Sequence, residues 1–219
     1  MSRYVGAKLR ITRRLGPLPG FCKKQTRRTY VPGEHGYRAG PTKGGGGRGA
    51  AARGNVTLAG KRLLSKQQLL YNYGLRERQL RAYVKASSSR SSTMLKEAGS
   101  SIIDVVLEAL DRRLDTVVYR ALSTTSIRAA RQIVSHGHVK VNSVPVTIPS
   151  YSCQTTDTVE IKKAIVEQRG TKARQSQIAA SSPKEDSDKF ESYRVATLRD
   201  AKKPRLNKTL IAEFYSRLL

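Results

Sequence analysis

Residues 126–142 carry the most informative local pattern in the chain, and they read Ser-Ile-Arg-Ala-Ala-Arg-Gln-Ile-Val-Ser-His-Gly-His-Val-Lys-Val-Asn. Ser126 is a suitable N-cap, and the pattern predicts a short helix that runs through Ser135 and is ended by Gly137. Val139-Lys140-Val141 alternates as a strand does, and Asn142-Ser143 is a turn candidate. We therefore expect a short helix followed directly by a hairpin.

One face of this predicted helix is polar. At about 100° per residue, its hydrophilic side chains share one arc of about 100°, and apolar residues cover the rest. The polar groups of the helix and of the following hairpin are Arg128, Arg131, Gln132, Ser135, His136, His138 and Lys140. Arginine forks match phosphate oxygens, and these groups also reach sugars and base edges. From this segment alone, an RNA-binding platform and an ordinary solvated face are both open.

The chain before this motif predicts helices. Apolar residues recur at helical spacing over residues 102–110 and again over 114–122, which indicates long helical material with one apolar face that packs as core. Earlier helices are expected from Lys61 to a C-cap at Gly74, and over residues 75–86. The serine-rich residues 86–93 are expected to form a loop.

The chain after the motif predicts further extended segments, at residues 144–148 and 158–161. The predicted fold class is therefore α+β. Asp104, Asp111 and Asp115 lie on the predicted helices beside arginines, and we interpret them as ion-pairing partners rather than as catalytic acids.

The charge of the chain predicts a polyanionic partner. Its 219 residues contain 42 Lys and Arg against 16 Asp and Glu, a formal net charge of +26. Residues 1–62 hold 15 of these basic residues and one acidic residue, Glu34. Because this segment shows little apolar periodicity, we expect a basic arm that becomes ordered on its partner, although a flexible solvated tail is the alternative.

Several other function classes find no support in the sequence. No run of about 18 apolar residues could cross a bilayer, so a membrane partner is not expected. The N-terminus shows neither a secretory signal nor a transit segment, so we expect the protein to be made in the compartment where it works. Cys22 and Cys153 form no C-x-x-C pair and are expected to be free thiols, and the three histidines form no metal-binding set. No cofactor, metal or catalytic residue is predicted.

The module region resembles a known RNA-binding family. Arg113-Leu114-Asp115, residues 126–138 and Val139-Lys140-Val141-Asn142 are similar to the module that is named after small-subunit ribosomal protein four. That module also occurs in pseudouridine synthases, some tyrosyl-tRNA synthetases and heat-shock RNA binders, so it does not by itself identify a function.

Further stretches, in the family's order, resemble the ribosomal protein four family itself. They are Ser2-Arg3-Tyr4, Lys8-Leu9-Arg10-Ile11, Arg13-Arg14-Leu15-Gly16, Tyr30-Val31-Pro32-Gly33-Glu34-His35-Gly36, residues 68–80, Leu206-Asn207-Lys208 and Glu213-Phe214-Tyr215-Ser216-Arg217. The match covers most of the chain. The glycine-rich residues 41–59 and the polar residues 165–201 depart from the family pattern.

The resemblance implies a mostly helical domain with the RNA-binding module inserted in it and an extended basic N-terminal arm. The expected divisions are the arm at 1–62, the helical domain at 63–110, the module at 111–164, a polar divergent segment at 165–205 and a C-terminal segment at 206–219. A last strand and helix would return to the neighbourhood of the module, and the C-terminal segment would pack back on the body.

The resemblance also implies a function. The chain would be a structural constituent of the small ribosomal subunit that binds the 5′ domain of its rRNA, nucleates assembly, and contacts ribosomal proteins five and three near the mRNA entry channel. The expected rRNA-binding residues are Arg3, Tyr4, Arg10, Arg13, Arg14, Ser126, Arg128, Arg131, Gln132, His136, His138 and Lys140. The expected mRNA-entry residues are Arg38, Lys43 and Arg48.

Two rival functions use the same features. An RNA-modifying enzyme would need a catalytic domain, but only about 40 polar residues are unassigned here, and neither paired carboxylates in an apolar setting nor a nucleophile beside a base is found. An architectural DNA binder or a translational repressor is compatible with composition alone. Residues 13–20 resemble chloroplast and cyanobacterial members of the family, so a chloroplast ribosome is expected and a bacterial cytoplasm is the alternative.

Overall fold

A computed structural model describes residues 4–24, 27–28, 31–32, 57–98, 101–122, 124, 126–162, 190–195, 204 and 206–216, with the backbone alone for residues 89–98. This part of the chain contains seven helices and four strands, which confirms the α+β class. The helices are α1 (Lys8–Leu15), α2 (Leu58–Tyr73), α3 (Glu77–Ala98), α4 (Ile102–Asp111), α5 (Leu114–Leu122), α6 (Ile127–Ser135) and α7 (Lys208–Tyr215). The strands are β1 (Val139–Val141), β2 (Val144–Pro145), β3 (Thr158–Lys162) and β4 (Phe190–Arg194).

The chain divides into two compact units. Met1–Val106 and Pro204–Leu219 form one, which we call the helical unit, and Leu107–Lys203 form the other, which we call the module unit. None of the described helices is long and apolar enough to cross a bilayer.

Helices α2 and α3 both contribute buried apolar side chains to the helical unit. Gly74 ends α2 in the left-handed conformation, at φ 58° and ψ 37°, as the sequence predicted. The most deeply buried apolar side chains here include Leu69 and Leu80, both at 0 % exposure. Helix α7 packs on α2, where Arg62 Nε and Glu213 Oε2 lie 2.7 Å apart. The C-terminal helix thus belongs to this unit.

Residues 4–22 are less extended than the arm that the sequence predicted. Helix α1 leads into a buried cluster of Leu15, Leu18 and Phe21, against which Leu64 and Tyr71 of α2 pack. Gln68 Nε2 also donates a hydrogen bond of 2.6 Å to the carbonyl of Leu15. In the sequence these apolar residues are dispersed among arginines, lysines, glycines and prolines, so no periodic pattern predicts that they form one apolar face. They come together only because the segment packs on α2.

The prediction of a serine-rich loop at residues 86–93 is wrong. Helix α3 is continuous from Glu77 to Ala98 and includes this stretch. Serine is only a few tenths of a kcal/mol worse than an average residue inside a helix, and neither glycine nor proline interrupts the sequence before Gly99. Ser87, at 4 % exposure, is also buried. A run of serines therefore reduced helix propensity without ending the helix.

The helical material over residues 102–122 consists of two helices, α4 and α5. The backbone N–H groups of Leu114 and Asp115, at the start of α5, donate to the carbonyls of Tyr151 and Pro149, over 2.9 and 3.1 Å. A distant segment thus satisfies the first N–H groups of α5 and stabilises a separate helix start there. All nine residues of α5 are buried, so it has no solvent face.

The sheet of the module unit is antiparallel with the strand order β2-β1-β3-β4. The strands that were predicted at 139–141 and 158–161 are confirmed as β1 and β3, and Asn142 and Ser143 form the predicted turn, with φ of 47° and 68°. Of the predicted extended residues 144–148, only Val144–Pro145 pair as a strand. Strand β4 lies in the segment that the sequence left without a family counterpart, and it pairs with β3 over five residues.

Candidate nucleic-acid interface

Helix α6 presents its polar face because its other face is held in the core. Ile127, Ala130, Ile133 and Val134 are buried, and α6 packs on α5. These positions match the apolar face that the sequence predicted. The helix ends at Ser135 with His136 as its C-cap, after which Gly137 adopts a φ of 72° that turns the chain into β1. The local sequence therefore explains both the orientation and the ends of this helix.

The predicted polar residues differ in how far they reach the surface. Gln132, Ser135 and His136 are exposed, and Arg128 and His138 are half-buried. The rings of His136 and His138 lie with their centroids 6.0 Å apart. An amide, a hydroxyl, two imidazoles and a guanidinium thus lie on α6 and in the residues that lead into β1, a mixture that reaches phosphates, sugars and base edges.

Ser126 lies at the N-cap of α6 but its side chain makes no capping hydrogen bond. The residue is 7 % exposed, and its backbone carbonyl accepts from the N–H groups of Ala129 and Ala130, at 3.0 and 3.3 Å. Ser126 therefore contributes to the start of the helix through its backbone and offers little surface to a ligand.

Arg131 is part of a charge cluster beneath the polar face. Its Nε donates over 2.7 Å to Asp115 Oδ2, and the Arg131 side chain is 23 % exposed. The same carboxylate accepts from Arg113 Nε and Nη2 at 3.1 and 2.9 Å, and Asp115 is 0 % exposed. One carboxylate thus faces two guanidiniums, so the cluster carries a net positive charge next to the surface.

Lys140 extends the interface onto the sheet. It lies on β1, is half-buried, and its Nζ stands 4.3 Å from the centroid of the Phe190 ring on β4. A cation over an aromatic face is held in place by the ring's electrostatic field. Phe190 is a residue that sequence analysis missed, because it falls in the polar segment without a family counterpart.

The candidate residues of the N-terminal arm lie in the helical unit. Arg10, Arg13 and Arg14 share an arc of about 100° on α1, on the side away from the buried Thr12 and Leu15. Arg10 and Arg14 are exposed, and Arg13 is half-buried. The other arm candidates, Arg3, Arg38, Lys43 and Arg48, lie outside the described residues.

Tyr4 was predicted to bind rRNA, and its ring is already in aromatic contact. It is 37 % exposed, with its centroid 5.9 Å from that of Tyr71 in an edge-on arrangement and 6.1 Å from that of Phe21. The ring therefore ties the start of the chain to α2 and retains one partly open side.

The predicted ion-pairing roles of three aspartates are confirmed. Asp104 pairs with Lys208 over 2.6 Å, Asp111 pairs with the buried Arg120, and Asp115 pairs with two arginines as described above. Within the described residues, no group of three or more His, Cys, Asp or Glu side chains is arranged to hold a metal ion.

Both cysteines are thiols in this structure, and they lie in different units. Burial raises the pKa of the Cys153 thiol to about 12, with the neighbouring carboxylates of Asp157 and Asp115 as further causes. Cys153 is therefore protonated at neutral pH and has the character of a core residue.

Sequence analysis missed three exposed apolar residues. Val144, Ile148 and Tyr151 are 62, 59 and 40 % exposed, and they lie on the segment that runs from the hairpin back to α5. Residues 142–156 contain no charged side chain, which is the sequence signal for this uncharged segment. The module unit thus exposes apolar side chains as well as polar ones.

Comparisons with known proteins agree with this architecture. The S4 domain family matches residues 112–159, which contain α5, α6, β1, β2 and the first two residues of β3. The chain is 39 % identical to small ribosomal subunit protein uS4c of Oltmannsiellopsis viridis over 222 residues, covering 99 % of this chain and 100 % of that protein. It is 36 % identical to uS4c of Prototheca wickerhamii, with 100 % of both chains covered. It is 43 % identical to uS4 of Trichodesmium erythraeum (strain IMS101) over 163 residues, which cover 74 % of this chain and 70 % of that one. With an RNA-binding module of this type and full-length similarity of this extent, the chain belongs to the uS4 family of small-ribosomal-subunit proteins, which are structural constituents of the ribosome and not enzymes.

Proposed function

We propose that the chain is built into the small ribosomal subunit by binding its rRNA through the polar surface formed by α6 and the β1 hairpin. The observation that carries this proposal is that α6 buries its apolar face against α5 and leaves its polar face outward. The polar residues of this face and of the following hairpin are Arg128, Gln132, His136, His138 and Lys140. Such a surface keeps its shape when it binds, so it favours one RNA junction over others of equal charge.

The mechanism is positional rather than chemical. Guanidinium and ammonium groups neutralise phosphates and release counterions, which supplies affinity without sequence information. The amide, hydroxyl and imidazole groups add contacts that depend on the geometry of the RNA. The exposed Arg10 and Arg14 of α1 supply a second cationic surface in the helical unit.

The finer assignments are part of the proposal. We place the binding site in the 5′ domain of the small-subunit rRNA, where early binding would nucleate assembly. Ribosomal proteins five and three are the proposed neighbours, with Arg38, Lys43 and Arg48 at the mRNA entry channel and an influence on translational accuracy. The division into an arm, a helical domain, a module, a divergent segment and a C-terminal segment is proposed at the boundaries that the sequence predicted. A chloroplast ribosome is the proposed location, supported by the similarity to the uS4c proteins of algae.

The direct test is binding to a transcribed 5′-domain fragment of small-subunit rRNA, titrated against salt with excess tRNA present. The wild-type chain is expected to bind despite the tRNA, and its affinity is expected to fall by roughly a thousandfold or more between about 50 and 200 mM salt if six to ten phosphates are contacted. Loss of binding in the presence of tRNA would contradict the proposal. An affinity that does not change with salt would contradict it as well.

A variant pair tests the surface itself. Arg128→Gln removes one guanidinium from the polar face and is expected to reduce the slope of log affinity against log salt by about 0.7 to 0.9. Arg112→Gln is the matched control, because it removes the same charge from a side chain that is 42 % exposed and paired with Glu108. Equal losses of affinity in the two variants would mean that total charge matters and the surface does not.

A further inference from the structure

The outer face of the sheet in the module unit brings Lys140 and Phe190 together across an intervening strand. Side chains alternate between the two faces of a strand, and the other two residues of β1 are buried, so Lys140 lies on the outer face. In the register of the sheet, Lys140 is opposite Glu160 of β3, which is opposite Ser192 of β4. Phe190 precedes Ser192 by two residues and shares its face. Because β3 separates β1 from β4, Lys140 reaches Phe190 by extending over β3.

The contact between these two side chains orients the ammonium group without neutralising it. Lys140 Nζ lies 4.3 Å from the centroid of the Phe190 ring, and both residues are half-buried. The face of an aromatic ring attracts a cation, but the ring has no net charge that would cancel the positive charge of the ammonium. Within the part of the chain that the structure describes, no carboxylate lies within ion-pair distance of Lys140 Nζ. The charge of Lys140 is therefore available to a ligand.

A competing partner for this ammonium group stands directly opposite it. Opposite charges on paired residues of neighbouring strands attract, because their Cβ atoms are only about 4.5–5.5 Å apart. Glu160 occupies that position, yet its Oε1 accepts from the Ser143 hydroxyl at 3.4 Å and does not pair with Lys140. A lysine stem is long and flexible, so a Lys140 that lost the ring would reach this carboxylate. The ring thus decides between an available cation and an internal ion pair.

We propose that Phe190 is a positioning residue for RNA binding, which holds the ammonium group of Lys140 away from Glu160 and towards a phosphate of the rRNA backbone. The inference rests on the proposed function, because it deepens the same binding surface with a residue of β4. Phe190 acts through Lys140 alone. An ammonium group binds phosphate as a point charge, so the contact adds affinity without reading bases. Phe190 therefore sets how much charge the sheet contributes to the interface.

The test compares Phe190→Leu with Phe190→Tyr in the full chain. Leucine keeps an apolar side chain but removes the ring, so Lys140 is expected to pair with Glu160 and to lose its phosphate. Binding to the 5′-domain fragment of the rRNA is expected to weaken by about five- to eightfold near 0.1 M salt, and the slope of log affinity against log salt to fall by about 0.7 to 0.9. Phe190→Tyr keeps the aromatic face and is expected to preserve both values.

A double-mutant cycle separates positioning from simple support of the sheet. Lys140→Gln is expected to weaken binding as much as Phe190→Leu does, and the two substitutions together are expected to cause no further loss. Glu160→Gln added to Phe190→Leu is expected to return the salt slope to that of Glu160→Gln alone, because the competing carboxylate is gone. In NMR spectra of the free protein, the ε protons of Lys140 are expected to be shifted upfield by the ring in the wild type and in Phe190→Tyr, but not in Phe190→Leu.

The proposal is supported if Phe190→Leu weakens binding only while Lys140 is present and Phe190→Tyr restores it. It is overturned if Phe190→Leu binds as the wild type does, or if Phe190→Tyr loses as much. An equal loss from Phe190→Leu with and without Lys140 also overturns it, because the ring would then act on the fold of the sheet.

Two further outcomes keep the test decisive. Where Phe190→Leu unfolds β4, a wild-type salt slope in Lys140→Gln overturns the proposal, and a lower slope there with Phe190→Tyr unchanged supports it. A wild type that still binds in the presence of tRNA beside an inert Lys140→Gln overturns this inference alone. Wild-type binding that tRNA abolishes overturns the proposed function, and the positioning role of Phe190 falls with it.

Discussion

The carboxylate of Asp115 at the start of α5 accepts a hydrogen bond of 2.7 Å from Nε of Arg131 on α6, across 16 residues of sequence. Arg113 donates to the same carboxylate through two nitrogens, at 3.1 and 2.9 Å. This link fixes α6 to α5 with its polar face outward. Asp115 is therefore central both to the stability of the module unit and to the geometry of its interface.

Asp115→Asn is expected to lower the free energy of unfolding by about 3–5 kcal/mol, because it leaves the buried guanidinium of Arg113 without its counter-charge. Urea denaturation followed by circular dichroism measures this loss. Asp104→Asn serves as the control: its pair with Lys208 joins side chains that are 40 and 59 % exposed, and its loss is expected to be below about 1 kcal/mol. Similar losses in the two variants would contradict the central position of Asp115.

Leu18→Ala tests whether residues 4–22 pack on α2 in the free protein. Leu18 is 1 % exposed within the cluster of Leu15 and Phe21, so its truncation is expected to reduce stability by about 2–4 kcal/mol and to increase hydrogen exchange in α1. Leu9→Ala, at a position that is 43 % exposed on α1, is expected to change stability by no more than about 0.5 kcal/mol. If both substitutions are silent, the N-terminal segment does not pack on α2 before RNA binds.

Two substitutions in the β1–β2 turn are expected to change the stability of the protein in opposite directions. Asn142 has a φ of 47°, and its side chain donates to Asp157 Oδ1 over 3.0 Å and accepts from the N–H of Thr158 over 3.0 Å. Asn142→Ala is expected to destabilise the protein by about 1–3 kcal/mol. Ser143→Gly is expected to stabilise it by about 0.5–1 kcal/mol, because Ser143 has a φ of 68° that glycine adopts without strain. Thermal unfolding of both variants checks the signs, and a stabilising Asn142→Ala would refute this account of the turn.

The two thiols are expected to differ in reactivity. The raised pKa of Cys153, about 12 against an ordinary value of 9.0, keeps the thiol protonated, and the residue is 1 % exposed. Iodoacetamide at pH 8 should therefore modify the half-buried Cys22 first, and Cys153 only after unfolding in urea. Mass spectrometry over time measures both rates, and equal rates in the native protein would be inconsistent with a buried Cys153.

The same pKa difference predicts a loss of stability in alkali. Because the pKa of Cys153 is raised on folding, the folded chain binds more protons than the unfolded chain above about pH 9. The contribution of this thiol to stability is complete at neutral pH and declines as the pH rises from about 9 towards 12. Cys153→Ala is expected to remove this part of the pH dependence, which urea titrations at pH 7, 9 and 10.5 would show against the wild type.

Features that depend on neighbours in sequence were predicted well. Helix α6, the turn at Asn142 and Ser143, and the left-handed cap at Gly74 were all expected from their own residues, because capping and turn preferences act over a few positions. Serines 87–89 show the limit of such preferences: they are weak, and the surrounding helix of 22 residues outweighs them.

Features that depend on distant contacts did not follow from local sequence patterns, although the family resemblance had implied a last strand beside the module. The break between α4 and α5 is stabilised by the carbonyls of Pro149 and Tyr151, more than 30 residues further along the chain. Strand β4 pairs with β3 although its own sequence, Phe-Glu-Ser-Tyr-Arg, alternates only weakly. In both cases the hydrogen-bonding partners come from another part of the chain, and a local pattern contains no information about them.

The sequence by itself determined the α+β class, the charge that demands a polyanion, and the side of α6 that faces outward, because each of these depends on composition or on short-range periodicity. Only the tertiary structure decided which of the predicted rRNA-binding side chains are also held by contacts within the protein. Arg131 is bound at Nε by Asp115, Lys140 lies over Phe190, and Tyr4 packs on Tyr71, whereas Gln132 and His136 are exposed. The physical reason is that an ion pair or a ring contact requires two groups at the same place, and folding alone brings them there.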